Sequence, residues 1–213
     1  MAMALDVRDL GRCPYGAALR IQEELVEARA ADRAPDTLLL VEHDPVYTLG
    51  RSAKDENVIA SNEELTVRGI ELFRVGRGGD VTYHGPGQLV GYPILHLRQR
   101  GQSVLWHVET LEKILIAVLG DFGIQADTDG RNRGAWIGND KIAAIGVRIR
   151  KQVTMHGFAL NVRVNLSDYG GIVPCGLSDA GVTSMDRLLP DIEMDAVKER
   201  VILHCREFWD AGI

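Results

Sequence analysis

The sequence predicts an α+β protein with a mixed, largely antiparallel sheet flanked by helices. Three observations carry that expectation. Residues 15–31 and 103–120 place apolar side chains at helical spacing, TLLLVEH (Thr37–His43) has the length and apolarity of a buried strand, and two strand-like arms meet at a turn-forming Asn139-Asp140 pair. Strands joined by tight turns pair antiparallel, which gathers the helices to the sides.

Each element has its own signal. Ala18, Ile21, Leu25 and Ala28 mark the first helix, and Pro14 suits its first turn. Ser61-Asn-Glu-Glu64 fits a capping box opening a short helix that stops at Gly69, and residues 70–75 follow as a strand. Val104, Val108, Leu111, Leu115 and Val118 step by fours and threes along the strongest helix, residues 103–120. Residues 120–134 read as a connecting or functional loop. The hairpin follows, its second arm setting Ile145, Val147 and Ile149 on one side, then a strand over 154–164 and an amphipathic helix over 195–209. Repeats, low-complexity tracts and linkers are absent from the pattern, so residues 1–213 are expected to form a single domain.

Composition narrows the function classes. With 46% hydrophobic and 25% charged residues, 213 residues can bury a core without disulfides or metals. Cysteines at 13, 175 and 205 make neither a disulfide framework nor a zinc ladder, which favours a reducing compartment. Asp6 and Asp9 argue against a targeting peptide, and no stretch approaches the ~20 apolar residues of a membrane span. The expected location is cytoplasmic, away from membranes. A net charge of −6 leaves no footprint for nucleic acid. Basic clusters at 97–100, 131–133 and 148–151 are either solvated turns or a landing patch for an acidic partner.

The densest punctuation is GRGGDVTYHGPGQLVGYPIL, residues 76–95. Val81 stands where a dinucleotide fingerprint needs its third glycine, and no lysine follows in phosphate-loop spacing. What remains is a loop between two apolar strands, holding Arg77, Thr82, Tyr83, His84 and Gln88. Six glycines allow close approach, so the loop reads as a binding wall for a polar headgroup or thioester carbonyl, with the flanking strands suited to an acyl tail. An isolated His84 could equally be a satisfied core histidine.

Cys175 sits in a Gly/Pro-rich stretch that can present a sulfur. An unperturbed thiol is only about 3% ionised at pH 7, so nucleophilic use requires an activator. His84 or His156 would make a Cys-His arrangement and Lys141 a Cys-Lys pair, while an inert buried thiol needs neither. Spacing alone leaves these open. Cys205 reads as core, and Cys13 offers nothing specific.

Four blocks resemble the signatures of the lipoyl(octanoyl) transferases: RGGDVTYHGPGQLVGY (77–92), NDKIAAIGVRI (139–149), HGFALNV (156–162) and IVPCGLSDAGVTS (172–184). With VEHDPVYTLGRSA (41–53), the likeness runs from about residue 38 to 185. It implies the fold shared with biotin and lipoate protein ligases. It implies transfer of an octanoyl or lipoyl group from acyl carrier protein to a lysine of lipoyl domains, those of 2-oxoacid dehydrogenase complexes and the glycine cleavage protein, with no cofactor and no metal. Cys175 falls on the family's nucleophile and Lys141 on its activating lysine. The substrate segments fall on Arg77, Gly78, Gly79, Asp80, Val81, Thr82, Tyr83 and His84, on Ala144, Ile145 and Gly146, and on Gly157, Phe158 and Ala159. Ala144 stands where many relatives carry serine, so a backbone contact is expected there rather than a hydroxyl. The competing expectations are an ATP-dependent lipoate or biotin ligase, a Cys-dependent thioesterase, and a non-catalytic carrier-binding module.

Overall fold

The computed structural model describes residues 5–173 and 180–210. In chain order they form β1 (Asp6–Cys13), α1 (Tyr15–Ala30), β2 (Thr37–His43), β3 (Val46–Leu49), α2 (Asn62–Arg68), β4 (Glu71–Arg74), β5 (Val81–His84) and β6 (Gln88–Ile94). Then come α3 (Val104–Asp121), β7 (Asp127–Asp129), β8 (Asn132–Ile137), β9 (Asp140–Arg150), β10 (Val153–Asn161), β11 (Gly181–Val182) and α4 (Met194–Asp210).

The large sheet runs β1-β2-β6-β10-β9-β8-β7, and β11 adds to β9. Only β1–β2 and β9–β11 pair parallel in it, so the sheet is mixed and mostly antiparallel. β10 leaves β9 after the Leu160–Ala143 pair, and β11 pairs with Asp140 and Lys141 beyond it. A small second sheet orders β4-β3-β5.

Alternation along the strands divides the core. One face buries Leu38, Leu40, Leu89, Phe158 and Leu160 against Leu111, Leu115 and Val118 of α3 and Val197, Val201 and Cys205 of α4. The other buries Leu39, Val41, Val90, Tyr92 and Ala159 against Ala18, Leu25 and Val26 of α1. A third cluster joins the small sheet to the 3₁₀ turn Leu166–Gly171 through Tyr47, Val81, Tyr83 and Tyr169. Burial also pushes the Cys205 thiol well above its ordinary range, so that sulfur is inert core.

The local signals acted as read at several ends. Ser61 and Glu64 close both bonds of the capping box, Gly69 ends α2 at φ +62°, and Ser103 Oγ accepts from the Trp106 amide to start α3. Other expectations change. The turn of the main hairpin falls one residue earlier, at Gly138-Asn139, because Gly138 takes the positive φ (+59°) that a bulkier residue resists. Residues 120–134 are not one loop: they contain β7 and open β8, a short pair held by Arg131 donating to both oxygens of Asp129. The supposed loop of the glycine-rich segment is two strands, β5 and β6, each fully buried, and β1 and β3 had no clear sequence signal. Val104 is exposed, so the apolar face of α3 begins later than its spacing suggested.

His107 lies fully buried between α3 and α4, 6.2 Å from the Trp209 ring, with both ring nitrogens unpartnered. Burial, helped by the Arg100 charge, pulls its pKa down to about 4, so folding favours the neutral ring. That stability is complete above pH 6.5 and is lost as the pH falls toward 4. At pH 5 the loss amounts to about 2 kcal/mol. Thermal melts at pH 7.5 and pH 5 should show a smaller acid-induced drop in Tm for His107→Leu than for the wild-type chain.

Candidate active site

On the α1 side of the large sheet, a narrow slot opens beneath the small sheet. Its floor is the paired backbone of β9 and β10, where Ala144 faces Ala159 and Gly146 faces Gly157. Its other walls come from β6 (Val90, Tyr92), the start of α1 (Tyr15), and the segment from Arg77 to His84. The small residues are there for clearance. A Cβ at Gly157 would run into the Gly91 carbonyl oxygen, and one at Gly146 would sit 3.0 Å from Arg77 Cδ and 3.1 Å from the Gly78 carbonyl oxygen.

Arg77 closes one side of the slot. Its guanidinium is buried and donates to the carbonyls of Thr48 (2.6 Å), Asp80 (2.8 Å) and Gly78 (3.0 Å) and to the Thr48 hydroxyl (2.8 Å). Folding the 77–80 turn around an internal cation leaves positive charge at the wall of the slot. The nearby histidines respond. Burial above all, then the charges of His43 and Arg77, hold His84 at about 3, and burial with Arg77 and Arg148 does the same to His156.

His84 Nδ1 bonds Gln88 Oε1 at 2.7 Å, and Gln88 Nε2 donates in turn to the Tyr83 carbonyl, Asn161 Oδ1 and the Tyr169 hydroxyl. Asn161 Nδ2 donates to the Thr183 carbonyl, and the Thr183 amide donates to the Lys141 carbonyl at 3.0 Å. A buried polar chain therefore ties the histidine wall to the strand that carries the lysine. A neutral ring this weakly basic is a poor proton acceptor, which counts against a Cys-His pair at either His84 or His156.

Lys141 reaches the slot through a β-bulge. The pairing of β8 with β9 is Ala135–Ala143 and then Trp136–Lys141, which leaves Ile142 as the extra residue. Ile142 and Ala143 both enter the α3 and α4 core, and Lys141 is turned to the side of Ala144 and Gly146. Strict alternation would have put it in the core instead. The side chain is buried, 6% exposed, and its stem crosses Gly134, where a Cβ would lie 2.8 Å from Lys141 Cε. Gly134 itself has φ +145°.

Of the residues expected from sequence, Arg77, Gly79, Asp80, Val81, Thr82, His84, Lys141, Ala144, Ile145, Gly146, Gly157, Phe158 and Ala159 line this slot. Two face elsewhere. Tyr83 points into the small-sheet cluster and donates its hydroxyl to Asp168, because alternation along β5 sends it opposite to Thr82 and His84. Gly78 lines a separate groove with Arg51, Val147 and Arg148, and its amide donates to the Val147 carbonyl, so that amide is already committed. Cys175 lies outside the described residues. Sequence reasoning missed Tyr15, Val90, Tyr92 and Asn132. Asn132 was hidden in a stretch read as loop, and Tyr15 and Val90 carried only core-like signals.

Most cations of the basic clusters have a partner within the chain. Arg131 pairs with Asp129, Arg133 with Glu112, Arg100 with buried Asp36, and Arg150 and Lys151 with Glu27. Arg133, Arg150 and Lys151 stay on the surface, where such pairs are weak. Among the described residues, no helix is long and apolar enough to cross a membrane, and no group of three or more metal-ligating side chains occurs.

Residues 14–206 match the model of the lipoyl protein ligase A/B catalytic domain. The octanoyltransferase of Alkaliphilus metalliredigens is 46% identical over 99% of this chain and 98% of its own length, and that of Solibacter usitatus is 50% identical over 96% and 92%. Among solved structures, lipoate-protein ligase A bound with ATP superposes with a TM-score of 0.72 at 17% identity, covering 98% of this chain and 85% of that one. P. falciparum LipL1 with lipoate gives 0.77 at 14% identity over 98% of this chain, which spans 63% of that protein. Biotin protein ligase from Aquifex aeolicus gives 0.59 at 14% identity, covering 98% and 71%. These structural likenesses establish a common fold.

Gly134→Ala should displace Lys141 from the slot, since the added methyl meets the Ala143 carbonyl oxygen as well as the lysine stem. Transfer rate should fall by at least tenfold while circular dichroism retains the mixed α/β signature. Retention of the full rate would show that the lysine needs no such passage.

Proposed function

The chain belongs to the octanoyltransferase family, built on the lipoyl protein ligase A/B catalytic domain, and from that premise we propose how its slot carries out the transfer. It is an acyltransferase of lipoate biosynthesis. In our reading the described elements act as one catalytic unit in the cytoplasm, and the donor is octanoyl-acyl carrier protein. The acceptors are lysines of lipoyl domains, in 2-oxoacid dehydrogenase complexes and the glycine cleavage protein.

The observation that carries this reading is the buried Lys141 beside a slot walled by small residues, with the segment around Cys175 tethered at both sides. Val173 donates its amide to the Asn57 carbonyl, and Gly181 and Thr183 donate to Asn139 and Lys141. Ile172 and Val182 belong to the same small-sheet cluster.

In the first half-reaction the Cys175 thiolate attacks the carbonyl of the donor thioester. The new carbon–sulfur bond forms, the carrier's carbon–sulfur bond breaks, and the proton released from Cys175 passes through Lys141 to the departing thiolate. In the second, the acceptor amine attacks the Cys175 thioester and forms the amide. The amine's proton returns through Lys141 to the cysteine sulfur. Thioester for thioester is near balance and thioester to amide runs downhill, so no nucleotide is consumed. The slot is narrow, with a cavity volume of about 40 Å³, which favours a slender acyl chain. Arg77, Thr82 and the Gly79 turn face the carbonyl end in this scheme, and Ala144, Ile145, Gly157, Phe158 and Ala159 flank the tail.

Intact mass after incubation with octanoyl-carrier should show one octanoyl group on the protein, absent in Cys175→Ala and formed at least a hundredfold more slowly in Lys141→Ala. Adding ATP should change neither rate. Turnover by Cys175→Ala at the wild-type rate would end the covalent scheme. Transfer from free octanoate that required ATP would favour a ligase.

A further inference from the structure

The side of β8 that carries Asn132, Gly134 and Trp136 faces Lys141, by the period of two along a strand. Gly134 clears the lysine stem. At the end of that stem, Lys141 Nζ lies 5.1 Å from the centroid of the Trp136 ring, within cation–π range. The ring is only 3% exposed and cannot swing away, because its indole N–H donates to the Asn132 carbonyl at 3.2 Å. Arg131 adds a second brace, its guanidinium carbon 4.9 Å from the same ring centroid.

We propose that Trp136 is a positioning residue for the transfer, its aromatic face fixing the Lys141 head group in the slot and favouring its ammonium form. The proposal rests on the role assigned above to Lys141. Opposed influences meet at that amine. Burial disfavours the charged form, and the electron-rich face of an indole attracts it, more strongly when water is excluded. Arg131 does not simply repel the lysine. Its fork is engaged by Asp129, with Nε to Oδ1 at 2.9 Å and Nη2 to Oδ2 at 2.7 Å, and that bond above all holds the Asp129 carboxyl down to about 2. The carboxylate offsets the arginine and also acts on Lys141, whose charge helps to lower it. Behind β8, Glu112 of α3 accepts from Arg133 and from the Gly134 amide. An aromatic platform can thus help to keep the lysine cationic while the cysteine must ionise.

The test is the pH dependence of Cys175 octanoylation under single-turnover conditions. Trp136→Leu should move the alkaline limb down by about one pH unit, and Trp136→Phe, which keeps a ring, by less. Because the chain has three tryptophans, fluorinated tryptophans are introduced at position 136 alone. They preserve shape while draining the ring face, and each added fluorine should move the limb further in the same direction. This series decides the matter if the leucine variant does not fold. A uniform loss of rate with an unmoved limb would overturn the proposal, leaving Trp136 as packing. Lys141→Ala separates the two claims: if it keeps the wild-type rate and limb, the lysine's role itself has failed. If it abolishes octanoylation while fluorination leaves the limb in place, only the tryptophan's role has.

Discussion

The slot depends on one buried cation. Arg77 donates to the carbonyls of Thr48, Gly78 and Asp80 around the small sheet. Several carbonyl dipoles converging on one guanidinium hold the turn in a single shape. The glycines follow from this. Gly146 must let Arg77 and the Gly78 carbonyl lie against β9, and Gly50 must let Arg77 Nη1 approach, where a Cβ would come within 2.7 Å. A segment that looks like punctuation in the sequence is packing clearance around one arginine.

Charge at the wall then sets the chemistry available. Desolvation above all, with Arg77 adding to it, favours the neutral rings of His84 and His156. The chain from His84 through Gln88 and Asn161 to Thr183 gives the neutral His84 ring a structural purpose. It couples the wall of the slot to β11, the strand that passes beside Lys141. Fully bonded buried networks of this kind rigidify, and a site for acyl transfer gains from rigidity because its reacting atoms must meet at close range.

The comparison with ligases shows what the fold leaves undecided. P. falciparum LipL1, lipoate-protein ligase A and biotin protein ligase share this fold at identities of 14–17%. The architecture offers a groove between a large and a small sheet. What such a groove does is set by its side chains and not by the fold.

By itself, the sequence determined the elements whose causes are local. The capping box at Ser61, the start of α3 at Ser103, the strand at Thr37–His43 and the class of sheet all follow from spacing and end signals within a few residues. Motif likeness brought Arg77, Lys141 and the Gly146 and Gly157 floor together on one page. Tertiary structure alone decided which way those side chains turn. Tyr83 belongs to another cluster because β5 alternates, Lys141 faces the slot because Ile142 bulges, and Arg131 meets the Trp136 ring because β7 and the start of β8 fold from a stretch that reads as loop. Pairing register is a long-range property, and a shift of one residue exchanges core for cavity, so no local signal could have announced it.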